Sequence, residues 1–181
     1  IFCIMLHSFG KVFKTFSPNP YERVFFGGTV ILCITLLLGT TRYSGTGIEV
    51  IVSAIGGTAR NTDFFWKMLF TAITLACGYK GGEIIPSFFV GATFGCVIAP
   101  VLGLSSSLGA AIGMVSVFCG VTNCPIASLL IALELFGKVP ILYFLLAIAI
   151  SYMLSGYYSL YKTQIIAVSK YKNEYVDKKT H

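Results

Sequence analysis

The chain has 181 residues, of which 56% are apolar and only 11% charged, with a formal net charge of +6. A soluble domain carries about 25% charged residues and covers its surface with polar groups, whereas Ile84 to Leu133 contains no Asp, Glu, Lys or Arg; this excludes an ordinary soluble fold and points to lipid as the solvent. The net charge is not a nucleic-acid signature, because Lys162, Lys170, Lys172, Lys178 and Lys179 all lie in the tail, where a basic segment reads as a cytoplasmic flank under the positive-inside bias.

The chain opens at Ile1, without Met, inside the apolar stretch Ile1 to Leu6, and has no signal-peptide pattern; it reads as a fragment with sequence upstream. His7 is a lone histidine in an apolar run and is expected to be packed or interfacial. The turn-like Ser17-Pro18-Asn19-Pro20 precedes Val24 to Thr41, a membrane helix flanked by Arg23 and Arg42. Ser44-Gly45-Thr46-Gly47 then opens Ile48 to Ile55, which falls short of the ~20 residues a span needs. Asp63 is expected to cap a helix over Phe64 to Cys77, which ends in Gly78-Tyr79-Lys80-Gly81-Gly82.

Ile84 to Pro100 and Ser105 to Val121 are again short for full spans. Pro125, after Asn123-Cys124, suits a first helical position and starts a segment ending near Glu134, whose expected partner is Lys138 at i+4. Val139 to Gly156 is the last long apolar stretch, and Tyr157 to Val168 allows a short helix leading into the tail. Tyr143, Tyr152, Tyr157 and Tyr158 read as an interfacial belt. Broken, uneven helices at membrane depth occur where backbone ends line a protected cavity, and they point to a transporter site. Gly91–Gly95 and Gly109–Gly113 are G-x-x-x-G pairs that let helices approach closely in lipid. The six cysteines include no C-x-x-C pair, and no histidine lies near Cys119 and Cys124; buried free thiols are expected, with no metal and no cofactor.

The stretch Gly78 to Gly95 carries the chemistry. A glycine loop feeds the N-terminus of an apolar helix, where the first amides lack internal partners and the macrodipole places roughly half a positive charge. Such an end is an anion site without a basic side chain, which leaves the ion free to depart. A tight helix–helix turn is the alternative reading of the same residues.

Gly82-Glu83-Ile84-Ile85-Pro86, followed by Phe88-Phe89-Val90-Gly91-Ala92 and Gly95, resembles the G-x-F-x-P segment of CLC anion channels and proton-coupled antiporters. Thr40 to Gly57 resembles the helix break of that family's second repeat, and Asn123-Cys124-Pro125-Ile126-Ala127 to Leu133-Glu134 resembles its R-x-P helix. The resemblance implies an all-α polytopic membrane fold, the second of two inverted repeats, with residues 1–160 forming the membrane part and 161–181 the end of the last helix and a basic tail. It also implies a multi-pass cell-membrane location, a halide as transported ion, and a homodimer among lipids. Anion-binding amides map to Glu83, Ile84 and Ile85 beside the loop glycines Gly81 and Gly82, and an anion-facing phenol maps to Tyr161, with Tyr158 a poorer candidate.

Two departures bear on the ion. Ile84 stands where the family carries Phe, and Gly-Gly-Glu resembles the fluoride-exporting branch, although that branch carries Thr where this chain has Ile85. A carboxylate at Glu83 is unfavourable beside an anion unless it points away, is protonated or moves protons; as a helix N-terminal acid it is stabilised by the dipole. Chloride transport as a channel or chloride/proton antiporter is the leading expectation, and fluoride/proton antiport the alternative. The first-repeat motifs G-S-G-I-P and G-[RK]-E-G-P do not occur, so channel and antiporter stay unseparated. A non-transporting scaffold subunit is the competing reading from another class. An intramembrane enzyme is disfavoured, because the two histidines are near the ends and the aspartates are Asp63 and Asp177.

Overall fold

The computed structural model of the chain describes residues 1–137, 141–161, 163–172 and 174–180. Among the described residues eight α-helices run in chain order: α1 (Phe2–Phe16), α2 (Pro20–Leu38), α3 (Ile48–Ile55), α4 (Asp63–Ala76), α5 (Ile84–Ile98), α6 (Ser106–Thr122), α7 (Pro125–Phe136) and α8 (Ile141–Leu154). Their starts follow local chemistry. Asn19 caps α2 by accepting from the Tyr21 amide at 3.2 Å, with Pro20 at the first helical position. Ser105 caps α6 by accepting from Leu108 at 3.3 Å. Pro125 opens α7.

A 3₁₀ turn, Ala99–Leu102, extends α5, so that Ile84–Leu102 is 19 residues long, as is Pro20–Leu38. Both are long enough to cross a hydrocarbon core of about 30 Å. The sequence reading of a short segment from Ile84 stops where Pro100 breaks the α pattern, whereas the chain continues in 3₁₀ form. The buried hydroxyls of Thr71, Thr93, Thr122 and Ser128 donate to carbonyls one turn back, so none costs an orphan donor.

The centre is the pair α5 and α6, joined by both glycine motifs. A Cβ on Gly95 would lie 2.1 Å from the Gly109 carbonyl oxygen, and one on Gly91 2.4 Å from the Gly113 oxygen. The backbones therefore touch, and only glycine permits it. Around this pair Phe89, Ala92, Cys96, Ala110 and Met114 form one core with Val50, Ile51 and Ala54 of α3 and Phe70 of α4. A second core joins α1 to α4 and α6, and a third joins α6, α7 and α8. In contrast, α2 is almost unburied and exposes Phe25, Phe26, Leu32, Leu36 and Leu37.

The tail differs from the expected helix. After Leu154 the chain turns and forms a hairpin, β1 (Ile165–Val168) antiparallel to β2 (Tyr175–Lys179), in register Ile165↔Lys179. β-Branched residues in Gln164-Ile165-Ile166-Ala167-Val168 favour strand, and the partner strand lies beyond any local pattern. Lys170 is half-buried, not solvated: its ammonium donates to Asn123 Oδ1, to Ser155 Oγ at 2.7 Å and to the Tyr152 carbonyl at 3.0 Å. Tyr171 donates to the Met153 carbonyl at 2.6 Å. The tail thus adds donors to the Tyr152 and Met153 carbonyls at the C-terminus of α8, which also accept from Ser155 Oγ and the Gly156 amide. Tyr152 and Tyr157, expected as interfacial anchors, serve this dock; Lys170 and Lys178 lie over their rings.

Candidate anion site

Glu83 precedes α5 as its cap residue, without a side-chain capping bond. Ile84 and Ile85 are the first two helical residues and Pro86, with no N–H, is the third. Among the described residues, the amides of Ile84 and Ile85 donate to no protein group. Ser87 Oγ donates to the Ile84 carbonyl at 2.6 Å, which fixes the first turn without consuming these donors. Gly81 and Gly82 do not adopt positive φ. A Cβ on Gly82 would meet nothing within 4 Å, so glycine here leaves space open instead of permitting a special backbone conformation.

That space is a cavity of about 500 Å³, lined by Gly81, Gly82, Ile85 and Pro86 on one side and by Tyr43, Ser44, Gly45, Thr46 and Lys67 on the other. The two short breaks singled out in the sequence therefore face one compartment. Lys67 is buried on α4, and its ammonium donates to the Gly45 carbonyl at 2.5 Å and the Tyr43 carbonyl at 3.2 Å, 5.1 Å from the centre of the Phe89 ring.

Asp63, expected as a helix cap, has a larger role. The helix starts at Asp63 itself, and the buried carboxylate accepts from Arg42 at 2.9 Å, from the Tyr43 phenol at 2.8 Å and from the Arg60 amide at 3.2 Å. It faces the protein because two partners from the 42–43 segment and one from its own turn satisfy it there.

Tyr161 does not line the cavity. Its amide donates to Ser159 Oγ and its carbonyl accepts from Thr180, while the side chain is partly exposed. The neighbouring Leu160 is buried against Phe2, Cys3, Leu6, Ala72 and Val121, a cluster that Leu75 connects to the cavity wall. The expected Glu134–Lys138 pair falls partly on Lys138, outside the described residues. The sequence reading passed over Lys67, although a single lysine in Phe64-Phe65-Trp66-Lys67-Met68-Leu69-Phe70 is the signal that finds it: an ionisable residue inside an apolar helix is costly and needs a reason. Among the described residues no cluster of metal-ligating side chains occurs, and the six cysteines are free thiols.

The chain is similar to known proteins over most of its length. The family described as voltage gated chloride channel matches residues 1–156. A chloride/fluoride channel protein of Pseudomonas syringae pv. tomato (strain ATCC BAA-871 / DC3000) is 36% identical over 177 residues, covering 94% of this chain and 39% of that protein. An uncharacterized protein of Methanocaldococcus jannaschii is 25% identical over 146 residues, covering 75% of this chain and 37% of its own length. The crystal structure of a CLC-type fluoride/proton antiporter superposes with a TM-score of 0.85 at 32% identity, over 88% of this chain and 41% of that one. The chain thus spans about two fifths of the length of these relatives. With its broken helices, its glycine-joined central pair and a family match over most of its length, this multi-pass membrane chain belongs to the voltage gated chloride channel family, the CLC family.

Proposed function

We propose that this chain supplies one part of a transmembrane halide pathway, as a CLC-type chloride channel or chloride/proton antiporter, and that it is not an enzyme. The observation that carries the reading is the pair of uncommitted amides of Ile84 and Ile85 beside a cavity lined by Gly81, Gly82 and Ile85. Glu83, Ile84 and Ile85 offer main-chain donors to the anion, and Gly81 and Gly82 keep its approach open. The helix dipole adds partial positive charge without a tight ion pair. Tyr161 offers its phenol once the remainder of the fold closes over this face. Lipid, a halide and a second copy of the protein are the partners; no nucleic acid is involved.

Fluoride/proton antiport is the second reading. It is favoured by Glu83, a carboxylate able to carry a proton at the anion loop, and by relatives whose names include fluoride. The test is efflux from proteoliposomes containing this chain joined to the remainder of the fold that its relatives carry. Chloride- and fluoride-selective electrodes with a pH electrode separate the readings: halide efflux without proton movement indicates a channel, and halide coupled to protons an antiporter. No flux of either halide above empty liposomes would leave the scaffold reading in its place.

A further inference from the structure

The inner cavity is not the only compartment at the helix break. A second basin of about 810 Å³ meets the same segment, with Arg42, Glu49 and Arg60 among its lining residues. The two compartments share Ser44, Gly45 and Thr46 and no other lining residue. Ser44, Gly45 and Thr46 are therefore the wall common to a polar basin and the cavity that ends at the start of α5.

We infer that Tyr43–Thr46 is a strap partitioning these compartments, and that Lys67 is the positioning residue that holds the strap closed. The inference rests on the halide-pathway reading for its purpose and on the shared lining residues for the partition. The strap has two fastenings, both on α4. Asp63 holds the Tyr43 phenol and Arg42, and Lys67 holds the Tyr43 and Gly45 carbonyls. Residues four apart share one helix face, so α4 presents both fastenings to the same segment.

The middle of the strap has no bulky side chain to lock it. Its resistance to parting comes from hydrogen bonds to a buried ammonium, which are stronger than neutral ones. At the downstream end Gly47 takes φ +73, and a Cβ there would meet the Phe89 ring at 2.7 Å and the Lys67 nitrogen at 3.6 Å. The strap, the lysine and the ring are thus seated on one another. An ammonium has three donors and the strap carbonyls take two, which leaves one for an anion in the inner cavity.

The test reads access, not transport, so its failure is distinguishable from failure of the halide reading. This chain, joined to the remainder of its fold, is placed in sealed liposomes carrying Thr71→Cys, a residue lining the inner cavity. A membrane-impermeant sulfonate thiol reagent is added on the side from which Arg60→Cys reacts, and modification at position 71 is followed by mass spectrometry. Slow modification is expected with Lys67 or Lys67→Arg, and at least tenfold faster modification with Lys67→Met. Should Lys67→Met not fold, Gly47→Ala, whose methyl would press on the Phe89 ring that the ammonium overlies and would strain a backbone at φ +73, is expected to give the same acceleration. Fast modification in the Lys67 parent, or a rate within twofold of it in folded Lys67→Met, overturns the inference; so does an unchanged rate in Gly47→Ala where that variant is the deciding one.

Discussion

Asp63 and Lys67 stand one helical turn apart on α4 and grip the same four-residue segment, the acid through the Tyr43 phenol at 2.8 Å and the base through the Gly45 carbonyl at 2.5 Å. A carboxylate and an ammonium on one helix face commonly pair with each other. Here Lys67 donates to the unwound backbone opposite, which lacks a helix's internal hydrogen bonds and must find partners elsewhere, while Asp63 accepts from the Arg42 and Tyr43 side chains of the same stretch.

Removing Asp63 is therefore expected to damage the fold more than its place at a helix start suggests. Loss of one partner from a buried ion pair costs about 3–5 kcal/mol, and partial exposure of Arg42 reduces this. Asp63→Ala should cost about 2–3 kcal/mol, and Tyr43→Phe about 1 kcal/mol, the worth of one hydrogen bond. Thermal unfolding in detergent checks both, and an Asp63→Ala protein as stable as its parent would contradict the geometry.

The central helix pair gives a sharper steric prediction. Gly95→Val forces side-chain atoms into the Gly109 carbonyl, a main-chain atom that cannot rotate away. Overpacking a core costs about 1–3 kcal/mol, and a backbone clash lies at or beyond the upper end. Gly82→Ala, with nothing within 4 Å of the new methyl, should leave stability unchanged to within about 0.5 kcal/mol. Size-exclusion profiles and melting curves of the two variants should diverge accordingly.

Halide binding at the start of α5 should appear as stabilisation. A ligand at 100 times its dissociation constant adds about 2.7 kcal/mol, so a melting series in chloride, fluoride and gluconate should rise for any halide that binds. Gluconate is the control for ionic strength. Superimposed curves in all three salts, with the remainder of the fold present, would remove the anion from Glu83, Ile84 and Ile85. Tyr161→Phe separates the phenol from this backbone site: it should leave the fold intact, and altered halide selectivity or coupling would place its hydroxyl on the pathway.

The docked tail should respond to pH. Burial pushes the Lys170 ammonium down from 10.5 to about 8. Between these values the undocked tail binds a proton that the docked tail does not, so docking strengthens as pH rises through about 8 and levels off above the ordinary lysine value. Below about 8 both forms are protonated and no further change is expected. The groups facing Lys170 are Asn123, Tyr152 and Ser155, with Cys119 also within electrostatic reach. Amide exchange across β1 and β2 should be slower at pH 9 than at pH 7 once corrected for intrinsic rates, and Lys170→Met should abolish the difference.

Helix existence was legible because lipid imposes one rule on a spanning chain: its backbone must bond to itself. The apolar runs and their Pro, Asn and Ser boundaries accordingly coincide with α2, α6 and α7 to within a few residues. The glycine loop before α5 was legible for the same reason, since helix ends follow from local chemistry. The hairpin was not, because Ile165 pairs with Lys179 across thirteen intervening residues whose basic composition resembles a solvated tail.

What the sequence by itself determined was the solvent, the helical class, the family resemblance and the place where main-chain donors are left over. Only the tertiary structure decided that the break at Ser44–Thr46 and the loop at Gly81–Gly82 face one cavity, that Lys67 belongs to it, and that Tyr161 stands outside its lining. Periodicity and capping act within a turn or two of chain. A cavity wall is assembled from segments tens of residues apart, and the packing of α4 against α5 brings them together.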